Sequence, residues 1–419
     1  MQKNSVYFPN LNGLRFIAAL MVFVYHVEQY SLFFGLPNVA ENIILFGIGK
    51  LGVVLFFVLS GFLITYILLH EEQIKGRISI PKFYLRRVLR IWPLYFFVLI
   101  LAFFILPNIA FFVIPGFEKP VLYENFTLKA IMYFTFFANL AVSMFNVFPY
   151  ASQTWSIGTE EQFYLVWPLL IAFVRKRRLL FILGVIAAYI GMYFLLNSNV
   201  EFIPGKMYLR KFWKLFNIDC MAIGALFAVM LHTKRFLTLF LNNTVFYIAL
   251  IAAVGMMGWG ISVPHVNLEV YSILFGIIIL NFAANKNIGL SMEFRIPDYL
   301  GKISYGLYMY HSIAIVAGIK LMLLLNFSPW VLYMAAFVLT VGIASLSYEL
   351  FEKKFIRLKA KYSDVVSGEN AKQATVLAVP VNTVHSHSES HYSSHPGYTA
   401  EQHQSPALRG SGTDAESAV

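Results

Sequence analysis

Arg15 and His26 lie eleven residues apart in the first long apolar stretch, LNGLRFIAALMVFVYHVEQY. On an α-helix, eleven steps make three turns plus about 20°, so both side chains share one face about 16 Å apart along the axis. A cation and an imidazole at membrane depth are costly unless they face a wet cavity or a partner. Histidine is also the side chain best able to take and return a proton near neutral pH. Alone, the pair fits two readings. Arg15 is a cytoplasmic anchor and His26 caps the far end, or both serve chemistry inside the membrane.

A second cluster sits in PKFYLRRVLRIWPLYFF. Lys82, Arg86 and Arg90 fall at i, i+4 and i+8 and form a basic stripe, which Arg87 widens. Phe83, Leu85, Val88, Leu89 and Ile91 would seat that helix at the membrane surface. Such a stripe is either a topology signal with lipid anchorage or a wall that grips phosphate oxygens bidentately. Coenzyme A carries a 3′-phosphate and a pyrophosphate, so an acyl-CoA donor would suit it.

Two carboxylates, Glu160 and Glu161, open the apolar run in TWSIGTEEQFYLVWP. They either cap a helix N-terminus together with Thr159, or hold Arg15 and orient His26. In LGKISYGLYMYHSIAI, Ser304, Tyr308 and His311 fall within two turns, with Tyr308 and His311 on one face. Asp219 lies within an apolar span, where an ionisable group normally faces the bundle interior. Ser60 and Gly61 read as helix-packing residues. No G-x-S-x-G elbow, H-E-x-x-H, P-loop or dinucleotide glycine motif occurs.

The elements that must position these residues are membrane helices. The chain is 59% hydrophobic, 17% aromatic and 13% charged, with a mean hydropathy of +0.68, whereas a soluble domain carries about a quarter charged residues. Apolar segments fall at about 11–30, 44–69, 91–113, 127–147, 160–175, 179–197, 215–232, 245–262, 269–285, 303–325 and 330–350. Many are long enough to cross ~30 Å of hydrocarbon. Basic residues concentrate in 70–90, 175–178, 234–235 and after 352, whereas 31–43 and 263–268 have none. The positive-inside tendency then puts both termini in the cytoplasm. Eleven crossings would separate the termini. The expectation is therefore ten transmembrane helices and one re-entrant or interfacial segment, either 127–147 or 160–175.

No cleavable signal peptide is expected, because no small-residue site follows the first apolar run. Cys220 is the lone cysteine, which argues against a disulfide or a structural zinc site. The net charge of +11 resides in the inter-helix basic segments and does not suggest nucleic acid. No metal site is expected. Residues 1–357 form the membrane domain, and 358–419 read as a cytoplasmic, mostly disordered tail whose polar composition cannot offset chain entropy. His385, His387, His391 and His395 in that tail have no scaffold to fix a metal.

Taken in order, YFPNLNGLRFIAALMVFVYH, GVVLFFVLSGFLI, FYLRRVLRIWPLY, TWSIGTEEQFYLVWPLL, IDCMAIGALFA, LGKISYGLYMYH and SYELFEKKF resemble the signature blocks of the acyltransferase family 3 membrane proteins. The resemblance covers 7–355. It implies a bundle of about ten helices in the cell membrane, of the bacterial inner-membrane kind. It also implies O-acylation of a carbohydrate or lipid-linked glycan with cytoplasmic acyl-CoA, often acetyl-CoA, as donor and with no permanently bound cofactor. Arg15 and His26 match the family's Arg-x10-His pair, and Arg86, Arg87 and Arg90 its basic motif. Many relatives read SVEEQF where this chain has Gly158 and Thr159 before the two carboxylates, and many follow the Tyr-His block with Trp-Pro. Some carry a fused extracytoplasmic hydrolase-like domain, whose step would here be absent or come in trans. On this reading His26 is the base that deprotonates a sugar hydroxyl or the carrier of a covalent acyl group. Arg15, Glu160 and Glu161 complete the catalytic set, with Arg15 orienting His26 through a shared carboxylate or stabilising the thioester oxyanion; Arg86, Arg87 and Arg90 hold the donor, and Asp219, Tyr308 and His311 serve the acceptor or support the site. The competing class is a transporter or flippase of a glycolipid, which would show internal repeats with matching broken helices. None is visible in the sequence.

Overall fold

The computed structural model describes residues 5–39, 42–199, 204–326 and 328–367. A two-residue strand, β1 (Ser5–Val6), leads into three long helices, α1 (Leu11–Phe33), α2 (Ile43–Lys75) and α3 (Ile80–Ile100). Short helices α4 (Lys119–Tyr123), α5 (Phe126–Phe134) and α6 (Ala138–Met144) precede α7 (Thr154–Phe173) and α8 (Arg178–Asn197). Then come α9 (Lys206–Trp213), α10 (Ile218–Thr233), α11 (Leu237–Phe240), α12 (Asn243–Gly258) and α13 (Asn267–Ala284). The last described helices are α14 (Arg295–Lys302), α15 (Ser304–Leu325), α16 (Pro329–Ser347) and α17 (Lys353–Lys361), followed by β2 (Val366–Ser367), which pairs in parallel with β1. Among the described residues the fold is all-α apart from that short pairing.

Among the described residues, seven helices are long and apolar enough to cross a membrane, and the bent pair of α9 with α10 would make an eighth. Helix α12 is apolar but shorter. Helix α7 has 20 residues and carries Glu160 and Glu161. Counting these two reaches the expected ten, which is an approximate number.

The two candidates for the non-crossing segment separate clearly. Segment 160–175 lies in the single helix α7 up to Phe173, whereas 127–147 is divided between α5 and α6, at nine and seven residues. At 1.5 Å per residue neither half reaches across hydrocarbon. The break falls at Phe136, whose φ of 63° is left-handed, a conformation that normally costs a non-glycine residue energy. Burial of its ring against Trp92 and Tyr95, at centroid distances of 5.3 and 4.6 Å, opposes that cost. The carbonyl of Phe136 also accepts a 2.9 Å bond from the Gln162 amide.

The centre of the bundle is the crossing of α2 with α10. A Cβ at Gly61 would overlap the carbonyl of Met221, and one at Gly224 would overlap that of Val58. Two glycines thus let the backbones touch, the small-residue device of membrane helix packing. Gly61 has the packing role expected of it. Its neighbour Ser60 does not, since its hydroxyl is bonded to that of Tyr164.

One expectation needs correction. The basic stripe is not a separate surface helix. It forms the opening turns of α3, which continues through Pro93 and a wider π-helical turn at Leu101–Ile105. Past residue 357, α17 runs to Lys361 and β2 pairs with β1. The tail histidines, from His385 to His395, lie outside the described residues.

Candidate active site

A cavity of about 310 Å³ opens where the first turns of α1, α3 and α15 meet the second half of α2, the middle of α7 and α17. Five cations line it: Arg15 from α1, Arg87 and Arg90 from α3, Lys302 from α14 and Lys359 from α17. The carboxylate among the lining residues is Glu160, which accepts a 2.7 Å bond from the Tyr164 hydroxyl. Arg15 donates to Asn12 Oδ1 at 2.9 Å. The Arg87 guanidinium lies 5.6 and 5.7 Å from the ring centres of Phe83 and Tyr164, and its buried Nε has no hydrogen-bond partner. Lys302 stands 5.0 Å from the Tyr348 ring centre. Like charges gathered at membrane depth repel one another unless an anion or water lies between them. The arrangement favours a ligand with several negative oxygens, to which Arg presents paired donors and Lys point charges.

Tyr308 and Ser156 are among the cavity's lining residues. Their hydroxyls meet at 2.7 Å, and Tyr308 also donates to the Gln153 carbonyl at 2.9 Å. One helical turn beyond Tyr308 is His311, fully buried, with its ring 4.6 Å from that of His26. His26 Nδ1 donates to the Val22 carbonyl at 2.8 Å and His311 Nδ1 to the Tyr308 carbonyl at 2.6 Å. A carbonyl can only accept, so in each neutral ring the proton sits on Nδ1 and the lone pair on Nε2. His26 therefore offers a basic nitrogen without any carboxylate to fix its tautomer. Ser312 donates to Gln153 Oε1 at 3.1 Å and lies 3.5 Å from His311 Nε2. The Gln153 amide in turn donates to the carbonyls of Tyr150 and Met309. Each imidazole is bonded to a carbonyl of its own helix, while Tyr308 and Ser312 on α15 are bonded to Gln153 and Ser156, so the imidazoles are held on fixed helices.

The sequence-derived residues do not all gather here. His26, His311 and Tyr308 come together, and Arg15, Arg87, Arg90 and Glu160 line the neighbouring cavity. No carboxylate joins Arg15 to His26 among the described residues; Arg15 sits with the other cations instead. Thr159 and both glutamates lie well inside α7, which starts at Thr154, so helix capping is excluded. Glu161 accepts from Trp92 Nε1 at 3.0 Å, with its other oxygen buried and unpartnered.

The basic stripe is divided among three partners. Arg86 is buried and ion-paired with buried Glu71 at 2.9 Å, outside the cavity lining. Glu71 also accepts from the Ser79 amide, so the pair clamps the turn between α2 and α3. Lys82 reaches out to Asp364 at 2.8 Å and holds that carboxyl below its ordinary range, chiefly through the hydrogen bond between them. Of these cations, only Arg87 and Arg90 face the cavity. Asp219 is buried beside Cys220 and Glu269, away from both histidines' contacts.

Lys302, Lys359, Gln153, Ser156 and Ser312 escaped the sequence reading. Lys302 and Gln153 did fall in or beside quoted motif blocks, as a lysine and a glutamine at apolar borders. Lys359 sits past the last apolar run, where the pattern gave no reason to expect a return to the bundle. Among the described residues no group of three or more His, Cys, Asp or Glu side chains could hold a metal ion.

A family model described as "Acyltransferase domain" matches residues 8–349. The peptidoglycan O-acetyltransferase OatA of Listeria monocytogenes serovar 1/2a is 29% identical over 208 residues, which is 48% of this chain and 30% of that protein. O-acetyltransferase OatA of Staphylococcus aureus strain NCTC 8325 is 31% identical over 175 residues, 41% of this chain and 26% of the relative. A Staphylococcus aureus strain COL protein, provisionally named an O-acetyltransferase, is 24% identical over 391 residues, 84% of this chain and 58% of its own length. The chain thus spans between about a quarter and three-fifths of these relatives' lengths. No solved structure matches.

Proposed function

The chain belongs to the acyltransferase-domain family, as a multi-pass membrane acyltransferase, and from that premise we propose that it moves an acetyl group from cytoplasmic acyl-CoA to a hydroxyl of a cell-surface carbohydrate or lipid-linked glycan. The observation that carries this reading is the cavity lined by five cations whose wall includes Tyr308, one turn from the His26–His311 pair. The phosphates of coenzyme A would lie among Arg15, Arg87, Arg90, Lys302 and Lys359. The pantetheine arm, about 15–20 Å extended by ordinary covalent reach, would carry the thioester past Tyr308 toward His26. Arg15 and His26 are separated on α1 by about 16 Å, a span that such an arm bridges.

In the proposed step His26 Nε2 takes the proton of the acceptor hydroxyl as its oxygen attacks the thioester carbonyl. The C–S bond then breaks, and the coenzyme A thiolate recovers the proton from His26. His311 lies edge-on against His26, and the Gln153–Ser312 network positions His311. Arg15, gathered with the phosphate-binding cations, is a donor residue in this scheme.

The reading is tested with the purified full chain in nanodiscs, supplied with labelled acetyl-CoA and candidate glycans. Label should pass to the glycan as an ester. Replacing the donor by 3′-dephospho-acetyl-CoA should raise KM about tenfold or more, the value of one charge-assisted contact. Transfer that ignores the 3′-phosphate would remove the donor assignment. For sidedness, single cysteines at Ser79 and Asn38 in a Cys220→Ser background should label from the cytoplasm and from outside respectively. Labelling of position 79 only from outside would exclude a cytoplasmic donor.

A further inference from the structure

A second cavity of about 400 Å³ lies at the other end of α2, among its first turns, the end of α8, the join of α9 to α10, and the facing ends of α12 and α13. Its lining includes Lys50, Lys214 and Glu269, with Tyr193 and Asn267 as further polar groups. Lys50 is half-buried on a membrane helix. Among the described residues, neither its ammonium nor that of Lys214 makes a hydrogen bond or ion pair. Against these two ammoniums the lining sets the single carboxylate of Glu269, a formal excess of one positive charge.

The placement is also unusual. The loops at 31–43 and 263–268, at this end of the bundle, have no lysine or arginine, yet Lys206, Arg210, Lys211 and Lys214 cluster here. Cations on such a face oppose the charge bias that sets topology, so a local role must hold them there. The rest of the cavity wall is apolar, including Ile48, Met256 and Met257. Cationic, hydroxyl-rich and apolar parts side by side match an amphiphile.

We propose that this cavity binds a monoanionic phosphate ester bearing hydroxyl groups, the head group of an anionic glycerolipid. Its phosphate would lie between Lys50 and Lys214, its hydroxyls against Tyr193 and Asn267, and the start of its acyl chains along Met256 and Met257. The site is separate from the acyl-transfer chemistry, and its test needs no acyl donor.

The full chain is reconstituted in phosphatidylcholine nanodiscs containing a minor fraction of spin-labelled phosphatidylglycerol or of spin-labelled phosphatidylcholine with the same chains. Phosphatidylglycerol should show a motionally restricted population well above that of phosphatidylcholine. Lys50→Gln combined with Lys214→Gln should lower its relative affinity about tenfold. Lys50→Arg, which keeps the charge, and Lys234→Gln, at the other end of the bundle, should not; they also report whether the bundle still folds. Equal restriction of both lipids, or no loss in the double variant, overturns the proposal. Displacement of the restricted lipid by soluble glycerol 3-phosphate at micromolar concentration would overturn the lipid as occupant and assign the cavity to a free phosphate ester.

Discussion

The cationic cavity and the histidine cluster touch at Tyr308, yet they are built on opposite principles. In the cavity, charges of one sign face each other from four helices and the buried Nε of Arg87 has no partner. In the cluster, Gln153, Ser156, Tyr308, His311 and Ser312 bond one another or a backbone carbonyl at 2.6–3.5 Å. The first arrangement is incomplete without an anion. The second is complete by itself and therefore preorganised, which is what a proton-transfer site needs. On the proposed reading, binding and chemistry are divided along α1, with Arg15 at one end and His26 at the other.

The comparison can be broken by substitutions on each side of it. The largest effect belongs to neither region. Arg86→Ala leaves Glu71 buried and unpaired, which costs about 3–5 kcal/mol. Thermal unfolding in detergent should drop markedly while donor KM of the surviving enzyme stays within about twofold, in contrast to its neighbour Arg87. A large KM change with normal stability would place Arg86 in the donor site after all.

Next comes His26→Gln. It should lower kcat by about 10²-fold or more with little change in donor affinity, since it removes the base and keeps the bulk. Wild-type turnover would take His26 out of the chemistry. Arg87→Ala and Arg90→Ala should each raise donor KM about tenfold or somewhat more, at nearly unchanged kcat once donor is saturating. Their effect should shrink with 3′-dephospho or otherwise phosphate-depleted donors. Equal sensitivity to every donor would show that they anchor the helix and nothing else.

The smallest effect is at Lys82–Asp364, a half-exposed pair worth under about 1 kcal/mol and screened by salt. Asp364 is held below its ordinary range in the folded protein. Its contribution is thus complete above the ordinary carboxylate range and is lost as pH falls through the lowered folded value. Hydrogen exchange of α17 and the β1–β2 pairing should accelerate on acidification at low salt. The acceleration should vanish in Asp364→Asn.

Much of this was legible in the chain. Runs of about twenty apolar residues can satisfy their backbone in lipid only as helices, so the all-α membrane bundle followed directly. The uncertainty over 127–147 and 160–175 could not be resolved by hydropathy, because both are apolar. What divides them is a left-handed Phe136 held by rings from α3 and by Gln162 from α7. Tyr308 and His311 on one face, and Arg15 aligned with His26, also followed from helical periodicity alone. Periodicity also grouped Lys82, Arg86 and Arg90, and there it misled. A common stripe fixes a common direction but not a common partner, and over little more than two turns of α3 the surroundings change from Asp364 to Glu71 to the cavity.

The sequence by itself determined the medium, the secondary structure and the types of side chain at hand, because the cost of exposing peptide groups to lipid and the 3.6-residue repeat are local rules. Tertiary structure decided which charges meet. Lys302 and Lys359 join Arg15, Arg87 and Arg90 only because α14 and α17 fold back over the first turns of α1 and α3. His26 meets His311 only because α15 packs against α1. Such encounters between residues hundreds of positions apart depend on how whole helices cross, and crossings are set by the sum of many side-chain contacts, of which the Gly61–Gly224 approach is one.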